Sequence, residues 1–204
     1  MTRKIVKRST FFRLRACPRS RSPLEPCVTQ DIEQGQSQAE KPICDGDFPN
    51  TTEVIGELPR TYMLQSAFNV STLDCAVQVF YNKSYRKKTF TKYNLVYVYT
   101  TGEYQDQPLY VRGFQNYTIL LGYRPEEFFS PEKEEQILYS DMKSCMVTQD
   151  PNTHFPNNAC SLLVTKETFF HPDEKCTKAF RRHCGPYSYN YTSILHCVNR
   201  IDFN

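Results

Sequence analysis

The chain has 204 residues and a formal net charge of +3, with 14 Tyr, 14 Phe, 7 Gly, 9 Cys and no Trp. That length allows one ordinary domain plus a tail, and so few glycines argue against a glycine-loop nucleotide site. The charge is uneven: residues 1–22 hold eight Lys or Arg and no acid, leaving 17 basic against 22 acidic side chains, or −5, in the rest. A body this close to neutral gives no electrostatic case for nucleic acid.

Taken in chain order, residues 1–40 read as a disordered or mis-assigned basic tail. "CPRSRSPLEPC" is rich in Pro, Ser and Arg, and "QDIEQGQSQAE" is polar and aperiodic. "IVKRSTFFRLRAC" is broken by cations every few residues, so it lacks the continuous apolar core of a secretory signal. A wrongly assigned first exon or a mis-assembled 5′ end is the expected reason. No segment approaches transmembrane length, and no membrane partner is expected. Residues 41–204 are expected to form the folded domain, with "CDGDFPNTTEVIGELP" laying a turn or short helix against it.

From Leu58 the pattern is mainly β. "TYMLQSAFN", "CAVQVFYNKSY", "KKTFTK", "KYNLVYVYTT", "PLYVRGF", "NYTILLGYR", "QILYSDMKSCMVT" and "CSLLVTKE" give about eight strands joined mostly by short polar turns. Several are apolar on both faces, which suits a barrel with a filled or ligand-holding interior better than a sandwich with one wet face. The acidic run "PEEFFSPEKEEQ", residues 125–136, reads as a solvated loop.

One helix stands out, in "HPDEKCTKAFRRHCG". Pro172, Asp173 and Glu174 suit its first turn, Arg181, Arg182 and His183 its last, and Gly185 its stop. Cys176, Phe180 and Cys184 fall on one stripe. A helix this short is marginal alone, so two tethers along that stripe would fix it to a sheet. Cys145 and Cys160 lie on strands expected to be hairpin neighbours, at similar heights. The expected bridges are Cys145–Cys176 and Cys160–Cys184, with Cys75–Cys197 as a long closure. Spacing alone leaves other connectivities open. Cys17, Cys27 and Cys44 are unassigned, and an odd total leaves at least one thiol free or paired with another chain.

Dispersed cysteines without C-x-x-C pairs point to an oxidising compartment. Sequons at Asn50, Asn69, Asn82, Asn116 and Asn190 agree with a secreted glycoprotein. The pairs His183-Cys184 and His196-Cys197 lack zinc-site spacing, so no metal or cofactor is expected. No nucleophile motif is present and no catalytic residue is assigned.

"YMLQSAFNVSTLDC", "ILYSDMKSCMV", "ACSLLVTKE" and "CTKAFRRHCG" with a final Cys197 together resemble the tick salivary lipocalins, the histamine-binding family, over residues 58–198. The resemblance implies an eight-stranded antiparallel barrel with a C-terminal helix packed outside by disulfides, monomeric and secreted. It implies capture of a small host mediator, with carboxylates pairing an ammonium and aromatic rings flanking it. The implied ligand residues are Phe68, Tyr97, Tyr99, Tyr117, Glu135 and Tyr139; Tyr123 shares the aromatic pattern. Two features depart from the family: where Cys-Glu-Leu-Trp is common, this chain reads Cys160-Ser161-Leu162-Leu163, and Asn69 follows Phe68 in place of an acid. Asp74, Glu135 and Asp141 remain as candidate carboxylates. Three ligand classes stay open: a biogenic amine, a lipid mediator such as a leukotriene or thromboxane, and a host defence protein engaged by the barrel as scaffold.

Overall fold

A computed structural model describes residues 27–28, 43–85, 88–126, 128–152, 159–186 and 188–200. The basic segment 1–22, Cys17 and most of the expected tail lie outside them. Contacts divide the chain into two units, Met1–Asp45 and Gly46–Asn204. Within the first, β1 (Cys27–Val28) pairs antiparallel with β2 (Ile43–Cys44), with Cys27 opposite Cys44 in register.

The second unit opens with α1 (Thr51–Glu57), the short helix anticipated near the domain's start. Its cap is Asn50, whose Oδ1 accepts from the amides of Thr52 and Glu53. Eight antiparallel strands follow: β3 (Arg60–Ser66), β4 (Leu73–Tyr85), β5 (Lys88–Tyr99), β6 (Tyr104–Gln115), β7 (Thr118–Gly122), β8 (Lys133–Ser140), β9 (Cys145–Gln149) and β10 (Ser161–Val164). Each pairs with the next, and β10 returns to β3, closing the barrel. Closure leaves no unpaired edge. It also explains the double apolar pattern, since one face lines the interior and much of the other is covered by helices.

Two boundaries differ from expectation. "KKTFTK" and "KYNLVYVYTT" are one strand, because β5 pairs continuously with β4 from Lys88 to Val98. "QILYSDMKSCMVT" is two, because Asp141 turns the chain: its Oδ1 accepts from the amides of Lys143, Ser144 and Cys145, and Met142 takes a positive φ of 58°. One merger and one split leave the count at eight.

The anticipated helix is α2 (Glu174–Cys184), capped by Asp173 and stopped at Gly185 with φ 94°. It packs against β8, β9 and β10, and disulfides join Cys145 to Cys176 and Cys160 to Cys184. These are the pairs read from the sequence, but the expected equal heights are corrected. Cys145 opposes Val164 at the far end of β10, while Cys160 immediately precedes that strand. Four strand residues span about 13 Å, and eight helical residues about 12 Å. The helix therefore runs along the strands and is fastened at both ends.

After α2, β11 (Tyr189–Asn190) pairs with β3 beyond the point where β4 leaves it. A further helix, α3 (Leu195–Arg200), was not anticipated; it packs on β4 and β5 and is tied by Cys75–Cys197. Val77 and Val79 share the outward face of Cys75 and are buried there. No helix among the described residues is long and apolar enough to cross a membrane. The architecture is a lipocalin barrel.

Candidate functional site

Inward-facing residues of the barrel line a partly open cavity of about 190 Å³. Met63 on β3, Gln78 on β4, and Leu95 and Tyr97 on β5 form one wall. Lys133 and Glu135 on β8, Thr148 on β9 with Asp150 just after it, and Ser161 and Leu163 on β10 form the other. Phe68 and Ala159 complete the lining. The turn that brings Phe68 inward is held by Ser66, whose Oγ donates to the Phe68 carbonyl at 2.6 Å.

The charges are the cavity's main chemical feature. Lys133 Nζ donates to Asp150 Oδ2 at 2.6 Å, a partly buried pair that neutralises itself. Glu135 is 6% exposed and, among the described residues, has no salt-bridge partner. Burial is the main cause pushing its carboxyl up to about 7; the Lys133 charge and a hydrogen bond from Thr148 oppose this, and Asp150 adds to it. Burial also works against the Lys133 ammonium, but the Glu135 charge and the contact with Asp150 outweigh it and raise that group. Burial, then the Glu135 charge, raises the Tyr97 phenol, which stays protonated at neutral pH. The site offers one surplus carboxylate close to its ionisation point, in a lining that also contains the Phe68 and Tyr97 rings. Such a lining has the chemistry to pair with a small cation.

Of the residues anticipated for ligand contact, Phe68, Tyr97 and Glu135 come together here. Tyr99 donates to Gln105 Oε1 at 3.1 Å, and Tyr117 stacks its ring 4.9 Å from that of Phe48. Tyr139 is buried against Gly46 and bridges in backbone register to Asp47. None of these three lines the cavity, and Tyr123 is exposed. Asp74 lies 2.8 Å from His196 Nδ1, and Asp141 is committed to its turn. Of the three positions that depart from the family pattern, Ser161 and Leu163 line the cavity and Asn69 does not.

Sequence reasoning missed Gln78, Lys133, Thr148 and Asp150. The run "EKEEQ" reads from the sequence as solvated loop, whereas β8 begins within it, at Lys133. The period-2 series Lys133, Glu135, Ile137 carried the signal, masked by its charge.

A larger recess of about 370 Å³ is lined by Thr89, Phe90, Thr91, Val111, Arg112, Phe129 and Pro131. Among the described residues its lining has no carboxylate, and Arg112 already donates to the carbonyls of Arg124 and Pro125. The smaller cavity holds the more specific chemistry.

The chain is similar to known proteins in two ways. Residues 60–197 match the model of the tick histamine binding protein family. Among solved structures, the allergen Per a 4 from cockroaches is 11% identical, with a TM-score of 0.45, over 65% of this chain and 76% of that one. The siderocalin Ex-FABP is 12% identical, with a TM-score of 0.41, over 64% and 83%. No curated protein sequence gives a significant match. With the family model spanning more than half of its length, the chain belongs to the tick histamine binding protein family.

Proposed function

We propose that this protein is a secreted salivary lipocalin that sequesters a small cationic host mediator of the biogenic-amine type, blunting inflammatory and haemostatic defence. The observation that carries the reading is Glu135: a buried carboxylate without a salt bridge among the described residues, inside a cavity that Phe68 and Tyr97 help to line, beside a self-neutralised Lys133–Asp150 pair. An entering ammonium supplies the missing counter-charge and favours the ionised carboxylate, with Phe68 and Tyr97 contributing ring faces. The mechanism is capture by mass action rather than turnover, so the protein must be present at concentrations comparable to its ligand.

Cavity size favours an amine over a lipid mediator. Pockets for drug-sized ligands run to roughly 300–1,000 Å³, and about 190 Å³ suits a smaller molecule. Secretion is supported by the three disulfides and by the exposure of all five sequon asparagines, Asn50, Asn69, Asn82, Asn116 and Asn190. A monomer fits a site built from one chain.

Calorimetric titration with histamine, serotonin and a leukotriene tests the reading. One amine is expected to bind with a stoichiometry near one, and Glu135→Gln to weaken it by about 10- to 100-fold. Binding of the leukotriene alone would transfer the reading to lipid mediators. Silence from all three would turn it to the barrel as a scaffold for engaging a host protein.

A further inference from the structure

A second polar anchor faces Glu135 from the opposite wall. β4 and β8 are four strands apart in either direction around the ring of eight, so Gln78 and Glu135 project toward each other across the barrel. Gln78 is fully buried and lines the cavity, yet neither its Oε1 nor its Nε2 has a hydrogen-bond partner. Two buried hydroxyls nearby are also unpaired. Thr61 is the direct register partner of Gln78 on β3, and Tyr93 extends from β5, the next strand on the other side.

Buried carboxamides are nearly always satisfied, because an unmet donor and acceptor lose hydration with no return. A packing role here would be filled better by Leu or Met. A carboxamide also differs from a carboxylate in what it selects. Its Oε1 accepts and its Nε2 donates, so it matches a neutral group carrying both functions, such as a neutral imidazole or a ring hydroxyl.

We propose that Gln78 is the specificity-determining anchor of the cavity, reading a neutral donor–acceptor group at the end of the ligand remote from its ammonium. The inference rests on the amine reading above and sharpens it: the ligand class is a ring-bearing amine with a polar ring, not a simple aryl- or alkylamine. A site built to hydrogen-bond its ligand rejects an analogue lacking the group, because its own polar atoms are then stranded.

The test titrates the full chain, its Gln78→Met variant and its Glu135→Gln variant with histamine, serotonin and 2-phenylethylamine, which keeps the ammonium and a ring but has no ring polarity. Methionine preserves the length and packing of the side chain, and thermal unfolding checks that the fold is intact. Wild type is expected to bind histamine or serotonin at least about tenfold more tightly than 2-phenylethylamine. Gln78→Met should erase most of that preference by weakening the polar amine while leaving 2-phenylethylamine unchanged or tighter. Equal loss for all amines, or no loss for any, overturns the role of Gln78, as does a wild type that fails to discriminate. Glu135→Gln separates the two claims, since it should weaken every amine alike. Amine binding insensitive to Glu135→Gln, or no amine binding at all, overturns the amine reading and this inference with it.

Discussion

Arg182 Nη2 donates to Asp47 Oδ1 at 2.6 Å across 135 positions of chain, joining the last turn of α2 to the segment that precedes α1. His183 Nε2 lies 2.8 Å from the same oxygen, and the Asp47 side chain is only 1% exposed. Phe48 follows with its ring 5.5 Å from that of His183. Asp47 is thus a buried anchor for the outer layer of the barrel. Removing one partner of such a pair leaves the other without its counter-charge, so Asp47→Ala should cost roughly 2–4 kcal/mol. Chemical denaturation would show a lower midpoint, while amine affinity should hold because Asp47 does not line the cavity.

Glu135 makes stability and binding respond to pH in opposite directions. Its folded value of about 7 lies above the ordinary 4.5. The stability linked to its protonated form is fully present below about 4.5 and is lost as pH rises through about 7. A cationic ligand instead needs the ionised form, so affinity should rise from pH 5.5 toward 8 and binding should release a proton below neutrality. Calorimetry in buffers of different ionisation enthalpy reads the proton, using an amine that stays singly charged over the range. Glu135→Gln should flatten both profiles.

The disulfides should differ in worth according to the loops they close. On chain entropy alone, the Cys75–Cys197 separation of 122 corresponds to about 5 kcal/mol. Separations of 31 and 24 for the two α2 bridges correspond to about 3.5 kcal/mol each. Pairwise Cys→Ala variants should therefore rank with the α3 closure as the most damaging. Denaturation midpoints of the three variants check the order, and equal losses would contradict it.

Two glycines should respond oppositely to alanine. Gly46 has a φ of +86°, and a Cβ there would lie 2.7 Å from Tyr139 Cε2 and 2.8 Å from the Ser140 carbonyl. Gly46→Ala should destabilise by roughly 1–3 kcal/mol. Gly56 lies within α1 with nothing near its missing Cβ, and Gly56→Ala should stabilise by about 0.5–1 kcal/mol. Thermal melts of the two variants should shift in opposite directions.

The β-rich body and the helix Glu174–Cys184 with its end signals are legible in local information, namely period-2 alternation and the chemistry of a helix's ends. The sequence also places two tethers on that helix through sulfurs on one stripe, but the partners they meet and the Cys75–Cys197 closure stand in it only as expected pairings among several. It also located Glu135, but only as one acid among several. Which of them lines the cavity is a matter of tertiary structure. Barrel closure turns Glu135 inward, withdraws it from water and raises its affinity for the proton, while Asp141 is spent on a turn and Asp74 meets His196. Closure likewise set Gln78 opposite Glu135 and seated Tyr117 and Tyr139 against the chain before β3 rather than in the cavity. The physical reason is that alternation assigns a residue to a face, whereas the neighbours it meets there come from strands distant in the chain.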